Sequence, residues 1–198
     1  MKELVVATRN RGKLKEIQAL LAGVAGKVRC AADFPSFPET IEDGQTFREN
    51  ALKKAREAML FTGLSALADD SGLVVDALDG RPGVYSARFA GEEADDAANN
   101  RLLLEELNNV PAGQRQAAFV CELAFVTPDG VEQVFSGRVG GNILTLSRGD
   151  GGFGYDPLFL VDGFNQTMAE LSLQDKNIIS HRGLALQQFL AFLNKGEK

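Results

Sequence analysis

Apolar and polar positions follow one another in blocks whose spacing predicts strands and helices in alternation. The run from Glu3 to Ala7 is short and apolar, and a polar loop follows it. Apolar residues then recur at helical spacing from Leu14 to Leu21, and a second short apolar run covers residues 28–31. The pattern therefore predicts a strand, a loop, a helix and a second strand.

The next block is polar and acidic, and it leads into a well-marked helix start. Residues 33–44 carry prolines and carboxylates, which is typical of a long loop. Thr46 and Glu49 have the spacing of a capping box, in which each side chain accepts a hydrogen bond from a free backbone N–H group. We therefore expect a helix from this point to Gly63.

Two apolar runs, Ser65 to Ala68 and Leu73 to Ala77, stand on either side of the tetrapeptide Asp69-Asp70-Ser71-Gly72. Asp, Ser and Gly favour turns because their side chains bond to nearby backbone or permit unusual backbone angles. We interpret the runs as two strand pieces separated by a turn. This interpretation places a pair of carboxylates at the edge of a sheet.

The second half of the chain continues the alternation. Residues 95–108 have a helical pattern, and Ala117 to Val126 and Val131 to Phe135 predict a hairpin around Pro128-Asp129-Gly130. The first of these strands is apolar on both faces and is expected to be central. A strand is expected from Leu158 to Val161, and Ser180 is expected to cap a final amphipathic helix. The prediction is an α/β fold with a mixed sheet, because a hairpin is antiparallel.

Length and charge narrow the functional classes. The chain has 198 residues and a net charge of −6, with no apolar run long enough to cross a membrane. The first apolar stretch is too short for a signal peptide, so we expect a cytoplasmic protein. The acidic charge argues against broad binding to nucleic acid polymers or anionic membranes, because such binding depends on summed basic charge.

Cysteine and histidine usage limits the metal chemistry. Cys30 and Cys121 lie far apart with no metal-binding spacing, so they are interpreted as core thiols in a reducing compartment. His181 is the single histidine, which excludes a multi-histidine zinc site within one chain. A metal would have to be held by carboxylate and phosphate oxygens, which favours Mg2+ or Mn2+.

Two stretches come close to familiar nucleotide-binding motifs without matching them. The segment from Ala7 to Leu14 lacks the first Gly and the final Ser or Thr of a Walker A loop, yet Thr8, Asn10 and Lys13 lie where a helix N-terminus could bind phosphate. A solvated turn is the alternative. Gly149 to Gly154 fits GxGxxG, but an apolar strand follows it instead of a helix. This stretch is interpreted either as a platform that stacks on a base or as a glycine turn with one core aromatic.

Two polar clusters carry candidate chemistry. Asp69 and Asp70, with Glu42, would supply the oxygen ligands of a divalent ion that bridges phosphates, although a turn with a local side-chain hydrogen bond is also possible. Arg182 follows Ser180 at a helix start that could favour an anion or a carbonyl oxygen, although a simple Ser cap with exposed charges explains the same residues. A Ser–His hydrolase pair is not expected there, because no GxSxG elbow is present.

Six blocks in this order resemble the inosine/xanthosine triphosphate pyrophosphatase (ITPase) family, over nearly the whole chain. They are Thr8-x-Asn10-x-x-Lys13, Thr46-Phe47-x-Glu49-Asn50-Ala51, Ala68-Asp69-Asp70-Ser71-Gly72-Leu73, Gly83-Val84-Tyr85-Ser86-Ala87-Arg88, Gly152-Phe153-Gly154-Tyr155-Asp156-Pro157 and Ser180-His181-Arg182-Gly183. Arg9 stands where bacterial relatives commonly have a small residue, which leaves open whether it contacts phosphate or points into solvent.

The resemblance implies a fold and a reaction. The fold is a two-lobed α/β structure, one domain over residues 1–198, with an elongated mixed β-sheet flanked by helices and a central nucleotide-binding cleft. The reaction is Mg2+-dependent hydrolysis of ITP, dITP and XTP to the monophosphate and pyrophosphate, which cleanses the nucleotide pool of deaminated purines. One or more Mg2+ ions per subunit and a homodimer are further expectations.

The resemblance also assigns roles to residues. Asp70 is the proton acceptor and a metal ligand, Glu42 is a second metal ligand, and Ser71 contacts the substrate. The residues assigned to the triphosphate are Thr8, Arg9, Asn10, Arg11, Gly12, Lys13 and Lys176. Those assigned to the base are Phe153, Gly154, Tyr155, Asp156, His181 and Arg182.

Three other functions are compatible with the sequence. A P-loop-like kinase or NTPase would use Gly12 and Lys13 as its phosphate loop and would release or transfer the γ-phosphate. A nucleotide-binding regulator would keep Asp69 and Asp70 as structural residues and would bind without turnover. A hydrolase for another damaged nucleotide could share the whole scaffold.

Overall fold

The computed structural model describes residues 3–22 and 26–196. Its six strands form one sheet in the order β2-β1-β3-β4-β5-β6. Strand β1 pairs in parallel with β2 and β3, whereas β5 and β6 are antiparallel. The predicted α/β fold with a mixed sheet is therefore confirmed. The strands are β1 Glu3–Val6, β2 Lys27–Cys30, β3 Ala66–Val75, β4 Gln116–Val126, β5 Glu132–Ile143 and β6 Phe159–Val161.

Five α-helices lie between or after these strands, and none of the helices within the described ranges is long and apolar enough to span a bilayer. The predicted capping box opens α2, since Thr46 Oγ1 accepts from Glu49 N and Glu49 Oε2 accepts from Thr46 N. The last helix begins directly after Ser180, as expected. The helices are α1 Arg11–Leu21, α2 Phe47–Thr62, α3 Asp96–Glu106, α4 Leu173–Ile179 and α5 His181–Gly196.

The chain divides into two compact units, and strands β3, β4 and β5 contribute residues to both. The first unit comprises residues 1–70, 121–137 and 182–198, and the second comprises residues 71–120 and 138–181. The expectation of a single domain around one nucleotide-binding cleft stays a prediction. Cys121 is buried as predicted, whereas Cys30 is only half-buried.

Each unit has its own apolar core. In the first, side chains of β1, β4, α1 and α5 pack together, among them Leu4, Ile17, Leu123 and Phe189. In the second, side chains of β3, α3, β4 and β6 pack together, among them Leu73, Leu103, Phe119 and Phe159. Burial of these apolar side chains supplies the main stabilising free energy of each unit.

The prediction of two strand pieces around Asp69-Asp70-Ser71-Gly72 was wrong, because β3 runs through the tetrapeptide without a break. Strand β3 lies between β1 and β4, and its pairing with β1 covers Ala66 and Leu67, so the carboxylate pair follows directly beyond the carboxyl end of β1. The carboxylates are compatible with a buried strand because cationic and amide side chains meet them there. Such pairing is what allows buried charges in a protein interior.

Strand β5 and helix α3 also differ from their predicted bounds. Strand β5 continues through glycines to Ile143, whereas the apolar pattern predicted an end at Phe135. Gly141 explains part of the difference, because a Cβ atom there would collide with the ring of Phe159 on β6. Glycine thus permits close strand packing here and does not mark a loop. Helix α3 is shorter by a residue or two at each end than the predicted range 95–108.

Candidate active site

The loop between β1 and α1 is shaped by its own polar side chains. Thr8 Oγ1 accepts from Asn10 N at 3.2 Å, and Asn10 Oδ1 accepts from Lys13 N at 3.0 Å. Asn10 is therefore the N-cap of α1. Arg11 and Gly12 form the first turn of the helix, with Arg11 exposed and Gly12 half-buried. The predicted strand-loop-helix unit is confirmed, and it presents a helix N-terminus beside these side chains.

Arg9 extends away from this helix start toward the acidic loop. Its Nη2 donates to the carbonyl oxygen of Phe37 at 2.9 Å, and its Nη1 lies 3.6 Å from Glu39 Oε2. The Arg9 side chain is 58% exposed, in keeping with the alternative of a solvated side chain, and a contact with phosphate stays a prediction. Arg9 joins the β1–α1 loop to the segment that leads to Glu42.

A carboxylate cluster surrounds the middle of β3. We define it as the four carboxylates Glu16, Glu42, Asp69 and Asp70 with their partners Lys13, Asn50, Lys54 and Arg182. All eight residues belong to the first compact unit. The cluster brings together the predicted residues Lys13, Glu42, Asp70 and Arg182.

Asp69 lies on the cationic side of this cluster. Lys13 Nζ is 3.0 Å from Asp69 Oδ2, and Arg182 donates to the same oxygen from Nε and Nη2. Arg182 also donates from Nη1 to Glu16 Oε2 at 2.6 Å and is itself 1% exposed. Burial alone would raise the pKa of Asp69, but the charges of Lys13 and Arg182 outweigh it and hold the pKa well below its usual range.

Asp70 has different partners. Asn50 Nδ2 donates to Asp70 Oδ2 and Lys54 Nζ donates to Asp70 Oδ1, both at 3.1 Å. Burial raises the pKa of Asp70, and the negative charge of Glu42 adds to this rise against the opposing charges of Lys54 and Lys13. A buried carboxylate with a raised pKa binds a proton more readily than a solvated one, which suits a general base.

Lys54 joins Asp70 to Glu42. Its Nζ also donates to Glu42 Oε1 at 3.1 Å, so one ammonium group bridges two carboxylates. Burial alone would lower the pKa of Lys54, but Asp70 and Glu42 raise it above its usual value. The residue is therefore a buried, charged lysine held between the two side chains that the sequence predicted as metal ligands.

The side chains of Glu42 and Asp70 are of the kind that Mg2+ takes as ligands. Their oxygens converge on one positively charged point, and both are hard oxygen donors. Within residues 3–22 and 26–196, no group of three or more His, Cys, Asp or Glu side chains could hold a metal ion. Mg2+ is commonly held by one or two carboxylates together with water and substrate phosphates, so two protein ligands are sufficient.

The second unit holds the glycine loop, which we define as residues 152–156. Asp156 Oδ2 accepts from Phe153 N at 3.1 Å and from Lys176 Nζ at 2.7 Å. Lys176 Nζ also lies 5.5 Å from the centre of the Phe153 ring. Lys176 thus lies with the residues assigned to the base, although the resemblance assigned it to the triphosphate.

Tyr155 and His181 are largely buried parts of the same unit. The Tyr155 hydroxyl donates to the carbonyl oxygen of Ser86 at 2.8 Å, and burial raises the pKa of Tyr155. The His181 ring stacks on Phe119 with 5.0 Å between centroids. Ser71 is half-buried in β3 directly after Asp70.

Sequence reasoning missed the roles of Glu16, Asn50 and Lys54. The sequence did hold a signal for the roles of Asn50 and Lys54. These two residues lie one turn apart on the face of α2 that carries the buried alanines Ala51, Ala55 and Ala58. A polar pair on the apolar face of an amphipathic helix needs partners from the core. Glu16 carries the same signal, because it lies beside Ile17 on the buried side of α1.

Known proteins resemble the chain over nearly its whole length. A dITP/XTP pyrophosphatase of Geobacter sulfurreducens is 61% identical over 186 residues, which cover 94% of each chain. A dITP/XTP pyrophosphatase of Desulforamulus reducens is 53% identical over 193 residues, which cover 98% of this chain and 96% of that protein. These matches confirm the resemblance found in the six motifs.

Solved structures give the same result. A HAM1 protein from Coxiella burnetii superposes with a TM-score of 0.89 at 43% identity, covering 98% of this chain and all of that one. The Staphylococcus aureus Ham1 protein superposes with a TM-score of 0.88 at 42% identity, with both chains fully covered. The model of the Ham1 family matches residues 4–192. With nearly all of its sequence and its fold accounted for by these matches, the chain belongs to the Ham1 family.

Proposed function

We propose that this protein is a nucleoside triphosphate pyrophosphatase that hydrolyses deaminated purine nucleotides, namely ITP, dITP and XTP, to the monophosphate and pyrophosphate. The relatives that bear the name dITP/XTP pyrophosphatase support the substrate class. The observation that carries the proposal is the buried Asp70 bound to Asn50 and Lys54, with Glu42 on the same ammonium group. This arrangement supplies a base and a charged site in one place.

The triphosphate is proposed to bind at the start of α1. Backbone N–H groups at a helix N-terminus favour anions, and Thr8 and Asn10 hold the loop in the conformation that presents them. Lys13 and Lys54 provide positive charge beside this position. Arg182 fixes Asp69 and Glu16, while its assignment to the base stays a prediction.

Asp70 is proposed to accept a proton from the attacking water. The water oxygen bonds to the α-phosphorus, the bond from that phosphorus to the bridging oxygen breaks, and pyrophosphate leaves with the electron pair. A positioned base of this kind contributes about 10²- to 10⁴-fold to the rate. Glu42 and Asp70 would hold Mg2+, which when bound supplies positive charge against the phosphate oxygens.

The glycine loop is proposed to receive the base. Stacking on Phe153 stabilises any purine by roughly 1–3 kcal/mol, so it does not select among them. Hypoxanthine and xanthine present a 6-oxo acceptor and an N1–H donor, whereas adenine presents the reverse. The Asp156 carboxylate can accept from N1–H, and a donor near His181 can meet the 6-oxo group. Unpaired buried partners would then disfavour adenine by about 10⁴-fold or more.

One assay distinguishes this reaction from the alternatives. The protein is incubated with Mg2+ and ITP, XTP, dITP, GTP, ATP or dTTP, and the products are separated. We expect monophosphate and pyrophosphate from the deaminated purines. Orthophosphate from ATP would support the kinase or NTPase alternative, and binding without turnover would support a regulator. Hydrolysis in ¹⁸O-labelled water should place the label in the monophosphate, because attack at the β-phosphorus would label pyrophosphate instead.

Asp70→Asn tests the assigned base directly. The amide keeps the size of the side chain but cannot accept the proton, so we expect turnover to fall by about 10²-fold or more. Nucleotide binding, measured by calorimetry, should persist. Turnover close to that of the unaltered protein would remove Asp70 from the mechanism.

Two further expectations belong to the whole protein. By resemblance to the ITPase family, we propose that the protein is a homodimer and that it is located in the cytoplasm. Light scattering on the purified protein tests the oligomeric state. We expect a mass twice that of the monomer, and a monomer mass would contradict the homodimer.

A further inference from the structure

Helix α3 contacts the glycine loop through two polar side chains that no motif pointed to. Asp96 Oδ2 accepts from Gly154 N at 2.7 Å, and Asn100 Nδ2 donates to Gly154 O at 2.9 Å. The two residues lie four positions apart and therefore on one face of α3. Both polar groups of the same glycine are thus bound by one helix.

Gly154 has a backbone conformation that its own residue type does not fix. Its φ is +59°, in the left-handed region, and glycine populates positive and negative φ about equally. The residue's own geometry therefore does not select the observed conformation. The bonds to Asp96 and Asn100 fix the two peptide groups that flank Gly154, and so they fix the course of the chain between Phe153 and Tyr155.

Helix α3 is itself firmly placed. Asp95 caps it by accepting from Ala98 N, and Asn99 bonds to Ala90 N and Ala87 O. Leu103 is fully buried in the core of the same unit. A helix held at its start and along its apolar face is a rigid support for a glycine-containing loop.

We infer that Asp96 and Asn100 are positioning residues that hold Gly154 and thereby orient the Phe153 ring on which a purine base stacks. The inference rests on the proposed function for the identity of the ligand. Neither residue touches the reacting phosphates in this assignment, so their effect should appear in nucleotide affinity and not in the chemical step.

The variants follow from the two contacts. Asn100→Leu keeps the branched shape of the side chain and removes the donor, and Asp96→Ala removes the acceptor. Asp96→Asn retains an oxygen that can accept from Gly154 N, so it should restore the behaviour of the unaltered protein. Glu105→Ala is the control, because Glu105 is an exposed residue of the same helix.

The first measurement is steady-state hydrolysis of ITP with Mg2+. We expect Asp96→Ala and Asn100→Leu each to raise KM roughly 3- to 10-fold, as for the loss of one hydrogen bond, with kcat within about twofold. Asp96→Asn and Glu105→Ala should leave KM unchanged. In a Phe153→Ala background, Asn100→Leu should raise KM by less than about twofold, because Asn100 acts by orienting the Phe153 ring and that ring is then absent. The inference would be overturned if Asp96→Ala and Asn100→Leu left KM unchanged or lowered kcat alone. It would also be overturned if Asn100→Leu raised KM as much in the Phe153→Ala background as in the otherwise unaltered protein.

The second measurement does not depend on activity. Amide hydrogen exchange of residues 153–155 is compared in the ligand-free proteins. Asn100 binds the carbonyl oxygen of Gly154 and not its N–H group, so faster exchange at Gly154 in Asn100→Leu would report a loosened loop. Unchanged exchange would contradict the inference. If the unaltered protein failed to hydrolyse any nucleotide, the proposed function would fail, while the exchange rates would still decide whether α3 positions the loop.

Discussion

Asp69 and Asp70 are neighbours in sequence but have opposite electrostatic environments. Successive side chains of a strand point to opposite faces of a sheet, and β3 runs through both residues. One carboxylate meets Lys13 and Arg182, which lower its pKa. The other is affected chiefly by burial, which raises its pKa. The strand thus separates a structural anion from a candidate base.

The role of Lys54 is tested by Lys54→Met, which keeps the length of the side chain and removes its charge. We expect kcat to fall by about 10²-fold or more, because Asp70 and Glu42 would lose the hydrogen bonds and the positive charge that Lys54 supplies to both. Lys54 lowers the pKa of Asp70, so the acidic limb of the kcat/KM profile should move to higher pH. Steady-state rates from pH 5 to 9 measure both effects.

The control for this substitution lies next to it on α2. Lys53 pairs with Asp43 at the surface, and Lys53→Met should leave kcat and the pH profile unchanged. An equal loss of activity in the two variants would show that charge on this helix matters without any special role for the bridge to Asp70.

The low pKa of Asp69 predicts how stability depends on pH. A carboxylate with a lowered pKa in the folded state stabilises the fold above its unfolded pKa of about 3.9, and this contribution is lost as pH falls further. Asp69→Asn should lower the free energy of unfolding by about 3–5 kcal/mol at pH 7, since it leaves buried cations without their partner. The decline in stability below pH 5 should also become shallower. Urea unfolding at several pH values, in the presence of EDTA, measures the free energy of unfolding and its dependence on pH.

Asp43→Asn provides the comparison, because Asp43 is an exposed carboxylate of the same unit. Its unfolding curve should nearly match that of the unaltered protein at pH 7. If the two substitutions had equal effects, the buried pairing of Asp69 would not be a main source of stability.

At the scale of elements, local signals in the sequence identified the starts of α2 and α5 but missed helix α4 and the full extent of the strands that carry charge or glycine. The capping box at Thr46 depends on neighbouring residues alone, so it could be predicted. The continuity of β3 depends on Lys54 and Arg182, which approach from distant parts of the chain. The same limit applies to Lys176, whose partner Asp156 is 20 residues away. Long-range pairing of this kind cannot be read from spacing.

Strand β3 and the segment from Gly83 to Ser86 approach each other closely at Gly72. Ser86 Oγ accepts from Leu73 N at 2.9 Å and donates to Gly83 O, and a Cβ atom on Gly72 would collide with both Ser86 Oγ and Gly83 O. Gly72→Ala should therefore lower the free energy of unfolding by about 1–3 kcal/mol through overpacking. Thermal and urea unfolding measure the loss.

Gly113→Ala is a matched control for this loss. A Cβ atom at Gly113 meets nothing within 4 Å, so the same chemical change should leave stability within about 0.5 kcal/mol. A similar loss of stability in both variants would refute the packing argument at Gly72 and point to a general effect of replacing glycine.

Charge is the property of the whole molecule that most constrains its chemistry. The chain has a net charge of −6, and its carboxylate cluster sets three cationic side chains, Lys13, Lys54 and Arg182, against four carboxylates. A triphosphate would bring several more negative charges to this site. Binding therefore needs additional positive charge beside the phosphates, and a divalent cation is the simplest source.

Removal of metal should accordingly abolish turnover of ITP, and Mg2+ should restore it. Glu42→Gln keeps the shape of the side chain and removes one of the two anionic ligands, so the Mg2+ concentration for half-maximal activity should rise by about tenfold or more. Glu39→Gln is the control, because Glu39 is an exposed carboxylate of the same acidic loop that contacts Arg9. The rate of ITP hydrolysis after EDTA treatment measures the need for metal, and titration with Mg2+ measures the concentration for half-maximal activity in each variant. Equal Mg2+ requirements for Glu42→Gln and Glu39→Gln would mean that Glu42 does not hold the ion and acts only as a partner of Lys54.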